Sequence, residues 1–157
     1  KTYGAFSWGD TRFVILDCGE DKPDDQPVYY GLNDFSAFRQ QQYDFLKEEK
    51  KSRDFKSANR RVLVNHIPLW GNDDKYQPSS ELWTPLLKEG SFDIGLSGHT
   101  HRFRYHPAED VSNPFPICIG GAPNVSSATM MVLSKKGNSL SLRVLNAKGE
   151  ELGAWSL

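Results

Sequence analysis

Two short strand-like stretches rich in apolar residues, each followed by histidine, constrain this chain more than anything else in it. Val62-Leu63-Val64 leads through Asn65 into His66, and the run from Phe92 to Ser97 leads through Gly98 into His99 and His101. Apolar stretches this short suit strands covered on both faces, and such strands need layers above and below them. Between them lie a loop with Gly71, Asn72 and Pro78 and a helical pattern in Leu82, Leu86 and Leu87, started or kinked at Pro85 and ended at Gly90. Upstream, Phe6 and Trp8 and then Arg12 to Asp17 flank Gly9-Asp10, the pattern of a tight hairpin. Residues 19–34 read as a long surface loop. Asn33 or Asp34 caps the next helix, in which Phe35, Phe38, Phe45 and Leu46 form one stripe and Lys47 to Lys51 the solvated end. Beyond Gly98 the chain reads as strands over 102–106, 115–119, 128–135, 139–146 and 150–155, with turns at Gly137-Asn138 and Lys148-Gly149. The order βαβαβ followed by a meander predicts an α+β fold: a mixed β-sheet with packed helices and a C-terminal antiparallel meander. No internal boundary divides residues 1–157.

Composition narrows the function classes. With 157 residues, 38% of them hydrophobic, the chain can bury a core of ordinary size. Its 19 basic and 20 acidic side chains leave a net charge of −1, so no basic footprint for general nucleic-acid binding is expected. The longest apolar run, Phe13 to Leu16, is far too short to span a bilayer. Cys18 and Cys118 are too few for a disulfide scaffold, and their pairing stays open. No signal peptide opens the chain, and Lys1 in place of Met is the expectation for a piece of a longer protein.

The chemistry concentrates at strand ends, where loops carry sites in layered α/β folds. Neutral imidazole is the commonest protein metal ligand. Residues two apart on an extended chain point to one face, with Cα atoms about 6.5 Å apart. His99 and His101 can therefore converge on one ion, or serve one each of two ions about 3.5–4 Å apart. Gly98 lets the backbone turn just before them. Taken singly, His66 reads equally as a structural histidine, and a bare His-x-His is a weak pattern. The two together point to metal. His106, in Tyr-His-Pro, has no such setting and reads as structural.

Val62-Leu63-Val64-Asn65-His66-Ile67-Pro68 and Leu96-Ser97-Gly98-His99-Thr100-His101 resemble the last two metal-binding motifs of the calcineurin-like metallophosphoesterases. The likeness extends over the Phe13–Asp17 strand, the Gly71-Asn72-Asp73-Asp74 loop and the closing hairpins, and is greatest to the purple-acid-phosphatase-like and bacterial secreted branches. It implies that His66 and His99 bind one metal and His101 its neighbour. It also implies hydrolysis of phosphate mono- or diesters by a water whose pKa two divalent ions lower. Zinc, iron, manganese and nickel are not distinguishable from imidazole ligands. Trp70, Asn72, Asp73 and Tyr76, in the loop after His66, are candidates to line the substrate cleft, or else pack the loop. The nearest branches are exported, which implies a periplasmic or secreted protein.

The family's earlier motifs, an Asp-x-His, a Gly-Asp and a Gly-Asn-His, do not occur here in that form. Gly9-Asp10 has the right letters but reads as a hairpin turn, and Val64 stands where the glycine before Asn65-His66 would be. Either the chain is the C-terminal half of a metallophosphoesterase domain, about half of its αββα sandwich, or it has lost those motifs; the retained histidines favour the first. No catalytic set is complete in residues 1–157, so little activity and partial or no metal occupancy are expected of them alone. Open strand edges predict self-association or pairing with the missing N-terminal half. Two other readings stand beside the hydrolase: a non-catalytic interaction domain with three histidines on one zinc, and a metal-free β-rich module.

Overall fold

The computed structural model describes residues 1–88 and 92–157. Gly9, at φ +61°, and Asp10 turn a hairpin between β1 (Gly4–Trp8) and β2 (Thr11–Leu16). After the long loop the Asp34 carboxylate accepts the Ala37 N–H at 3.2 Å and opens α1 (Phe35–Glu49), as the capping pattern predicts. A second short helix, α2 (Arg53–Ser57), is capped by the Ser52 hydroxyl and leads into β3 (Arg60–Asn65). Helix α3 (Pro78–Lys88) starts at Pro78, a residue suited to a first turn, and carries Pro85 inside it. Its expected end at Gly90 lies outside the described residues. The strands β4 (Ile94–Ser97), β5 (Arg104–His106), β6 (Ile117–Ile119), β7 (Thr129–Lys136), β8 (Ser139–Asn146) and β9 (Glu151–Ser156) follow.

These strands make two sheets. The first has the order β1-β2-β3-β4-β6-β5, with β2, β3, β4 and β6 parallel and an antiparallel strand at each edge. The second is the antiparallel meander β7-β8-β9. The expected run of C-terminal strands therefore divides. Cys118 pairs with Leu96, so β5 and β6 complete the first sheet, and only the last three strands form the meander. This is the α+β architecture the sequence predicts: helices, a mixed sheet, and a second sheet on its other face.

Side-chain alternation along the central strands feeds both layers. Val14, Leu16, Leu63 and Ile117 pack toward the helices with Leu46, Phe55, Trp83 and Leu87. Val62, Ile94 and Cys118 pack with Leu140, Leu142 and Val144 of β8, joined by the half-buried Phe13, Val64 and Leu96. Each fully buried leucine or valine contributes about 1.5–3 kcal/mol over an exposed one. None of the described helices is long and apolar enough to cross a membrane.

Helix α1 departs from the expected stripe. Phe35, Phe38 and Phe45 are only partly covered, and the buried face is Arg39, Gln42, Leu46 and Glu49. Three of these are polar because they fasten backbone and charge. Gln42 donates to the Asp17 carbonyl at 2.6 Å and accepts the Asp17 N–H at 2.7 Å, while Arg39 donates to the carbonyls of Cys18 and Glu20 at 2.9 and 3.0 Å. Glu49 holds Arg12 through two bonds of 2.7 and 3.0 Å. The Lys47–Lys51 run is thus not a uniformly solvated end: Glu49 is buried, and Lys50 donates to the Leu86 carbonyl of α3.

Candidate metal centre

Strands β3 and β4 are parallel neighbours in the register Val64↔Leu96, so the residues that follow each one emerge side by side. The Gly98 N–H donates to the His66 carbonyl at 3.0 Å and ties the two exits together. The sharp bend falls on the histidines and not on the glycine. His99 and His101 have φ of +67° and +57°, whereas Gly98 does not take the left-handed conformation. The Thr100 N–H bonds the Gly98 carbonyl at 2.8 Å, which curls the segment, so the expectation of two residues alternating along an extended strand does not hold there. A side chain at positive φ costs about 1–2 kcal/mol, and such backbone concentrates at functional sites.

The rings of His66 and His99 stand 5.5 Å apart between centres, at 84° to each other. Two imidazoles sharing a tetrahedral ion, with nitrogens about 2.0–2.1 Å from it, set their ring centres about 5 Å apart. The pair therefore fits joint ligation of one ion. His99 Nε2 also lies 3.0 Å from Asp74 Oδ2. The loop from 71 to 77 holds Asp74 there: Asn72 Oδ1 accepts the Asp74 N–H at 3.0 Å and the Gln77 side-chain N–H at 2.8 Å. Asp21, in the loop after β2, pairs with Lys22, and that hydrogen bond chiefly holds its carboxyl below the usual range against the opposing effect of burial.

Beside the pair, an open cleft of about 520 Å³ runs along the ends of β2, β3 and β4, lined by Asp17, Asn65, His66, Gly98 and Met131 among others. The exposed His101 lines a separate depression with Ser126 to Thr129 and Asn146. Among the described residues, no group of three or more His, Cys, Asp or Glu side chains gathers in a form that could hold an ion. Asp10 sits at the opposite end of β2, about 20 Å of strand away, where it bonds Asn59 and Lys135. It is a turn residue, as the hairpin reading had it. The donor set present is thus imidazole without a bridging carboxylate: it fits one ion in part and does not complete a two-ion centre.

The loop residues divide between packing and rim. Trp70 is buried edge-on against Phe115, 5.6 Å between centres, and Asn72 builds the loop itself. The Tyr76 hydroxyl accepts from Arg39 at 3.3 Å. Asp73 is exposed and borders a groove with Arg104 and His106. His106 bonds Asp110 through Nδ1 at 2.7 Å, while its Nε2 is packed away without a hydrogen-bond partner against Gly71. That is the structural role its sequence setting suggests. The sequence did not single out Asp74 as a site residue; an acidic loop residue carries no signal of its partner.

The parallel neighbours β3 and β4 each run into a histidine, and the two rings meet where the strands end. Residues 5–103 match the calcineurin-like phosphoesterase family, and the chain belongs to it. Members of this family generally bind divalent metals. Among solved structures the chain is similar to GAP50, the anchor in the inner membrane complex of Plasmodium, with a TM-score of 0.60 and 16% identity. That match covers 99% of this chain and 52% of the other, so the chain spans about half the length of that relative. A second match is wild-type Vps29 complexed with zinc from Entamoeba histolytica, with a TM-score of 0.34 and 10% identity over 66% of this chain and 72% of that one. No curated protein sequence matches.

Proposed function

We propose that this chain supplies the imidazole part of a metal-dependent phosphoesterase centre, with His66 and His99 on one divalent ion. The observation that carries the reading is the meeting of the His66 and His99 rings at adjacent parallel strand ends, 5.5 Å apart. When bound, such ions supply positive charge for phosphate oxygens and acidify a water that can attack phosphorus. The chain's own contribution is to bring the two imidazoles together beside the cleft at the ends of β2, β3 and β4. The bridging carboxylates would come from a segment outside residues 1–157, so these residues alone are expected to turn over poorly.

Titration with zinc or manganese, followed by assay on p-nitrophenyl phosphate and bis(p-nitrophenyl) phosphate, tests this. One ion bound per chain and lost in His66→Ala and His99→Ala supports it. Zinc binding untouched by either substitution sinks it. A second reading is a non-catalytic domain holding a single ion through histidines, and the pairing of His66 and His99 without a third His, Cys, Asp or Glu gathered on them among the described residues suits it. Ion count separates the two in the longer protein: two ions with hydrolysis for the first, one ion without it for the second.

A further inference from the structure

We infer that Asp74 is a positioning residue that fixes the tautomer of His99 and leaves its Nδ1 free to ligate. The inference rests on the reading that His66 and His99 share an ion. An ionised carboxylate only accepts hydrogen bonds, so the 3.0 Å contact between Asp74 Oδ2 and His99 Nε2 makes Nε2 the donor. A neutral imidazole has one N–H, and the lone pair is then on Nδ1.

Nδ1 is free to use that lone pair. It takes no hydrogen bond from the described residues, and it is not among the buried polar atoms without partners, so solvent reaches it. The other histidine–aspartate pair behaves in the opposite way. His106 uses Nδ1 for Asp110 and has its remaining nitrogen sealed against Gly71, where no ion can approach. Asp74 is itself fixed from two directions. Its N–H is bonded to Asn72, and its carbonyl accepts from the Gln77 side chain at 2.6 Å, so the backbone that carries the carboxylate is held in place. The same carboxylate steadies a ring whose backbone is held at φ +67°. Carboxylate partners of this kind raise ligand basicity and orient the ring, and their loss typically weakens metal affinity about 10–100-fold.

The test uses this chain with ¹⁵N label and zinc alone as the probe. In metal-free protein, a hydrogen-bonded Nε2–H resonance assigned to His99 is expected, and it disappears in Asp74→Ala. By calorimetry, Asp74→Ala is expected to bind zinc about tenfold to a hundredfold more weakly. Asp74→Asn, near-isosteric and still offering an acceptor oxygen, falls between, and it keeps the comparison valid should the alanine variant loosen the loop. Thermal melting of the asparagine variant stays at the parent value. Zinc binding in Asp74→Ala as tight as in the parent, or tighter, overturns the inference: tighter binding means that Asp74 competes with the ion for Nε2. If the parent binds no zinc, or His66→Ala binds it unchanged, the shared-ion reading fails by itself. The metal-free resonance still decides the role of Asp74.

Discussion

The two faces of the six-stranded sheet are built to different degrees of closure. Toward the helices, Val14, Leu16 and Leu63 are sealed, and the layer is locked by buried polar contacts from α1 to Arg12 and to the Asp17–Glu20 backbone. Toward the second sheet Val62, Ile94 and Cys118 are sealed, but Val64 and Leu96, nearer the site-bearing strand ends, are half-buried. The meander ends at β7, so Phe13 and Ile15 are half-buried and Phe6 and Trp8 are 46% and 79% exposed. The face that carries the rigid fastening sets the strand ends in place, and the open face gives the site its access. The cleft beside His66 lies on the open side, where β2 and β7 face each other without a strand between them.

The largest effect is expected where a buried charge loses its partner. Glu49→Ala removes both short carboxylate bonds of Arg12, leaving it only the Ser7 hydroxyl at 3.1 Å and the half-exposed Asp54 at 3.8 Å, and is expected to cost about 3 kcal/mol, read as a lowered urea midpoint. A loss below about 1 kcal/mol would mean that the pair behaves like a surface contact and the helix side is not sealed.

Next comes a matched pair across the second layer. Leu142→Ala, at a fully buried position, is expected to lose about 2–5 kcal/mol, whereas Met131→Ala at the open end of the same layer loses less than half as much. Equal losses would erase the distinction between its closed and open parts.

The third effect is smaller in stability but visible in solution. Phe6→Ser with Trp8→Ser is expected to change stability by less than about 1 kcal/mol. Because exposed apolar edges promote pairing, it should also shift the chain toward monomer in sedimentation velocity. An unchanged association state would place self-association elsewhere.

The smallest effect is a lack of reaction. Burial pushes the Cys18 thiol up to about 11 and the Cys118 thiol up to about 12. A thiol is nucleophilic only as thiolate, so at pH 8 roughly one part in a thousand or less of either is reactive. Both cysteines are free in the structure, and both should label with a disulfide reagent only after denaturation. Labelling rises with pH, since the thiolate fraction grows as pH approaches those values. Fast labelling of Cys118 alone would show that the layer between the sheets opens.

Much of the layout was legible because it follows from local pattern. The apolar runs around Val62–Val64 and Ile94–Leu96 mark the central strands, Gly9-Asp10 marks the first hairpin, and Asp34 marks the start of α1. The α1 face was misread for a physical reason. Arg39, Gln42 and Glu49 are buried because backbone carbonyls and Arg12, distant in sequence, await them, and a helical stripe analysis weighs only the apolar residues. The placement of the bend was misread likewise: glycine is permitted a left-handed φ, but the hydrogen bonds around Thr100 assigned it to His99 and His101.

By itself the sequence determined the class of fold and marked His66, His99 and His101 as candidate ligands, because strand periodicity and residue chemistry are properties of short segments. Only the tertiary structure decided that His66 and His99 meet, that Asp74 reaches His99, and that His101 opens onto a different depression. Those outcomes depend on strand register, loop path and buried long-range hydrogen bonds. They are set by contacts between segments tens of residues apart, which no local pattern encodes.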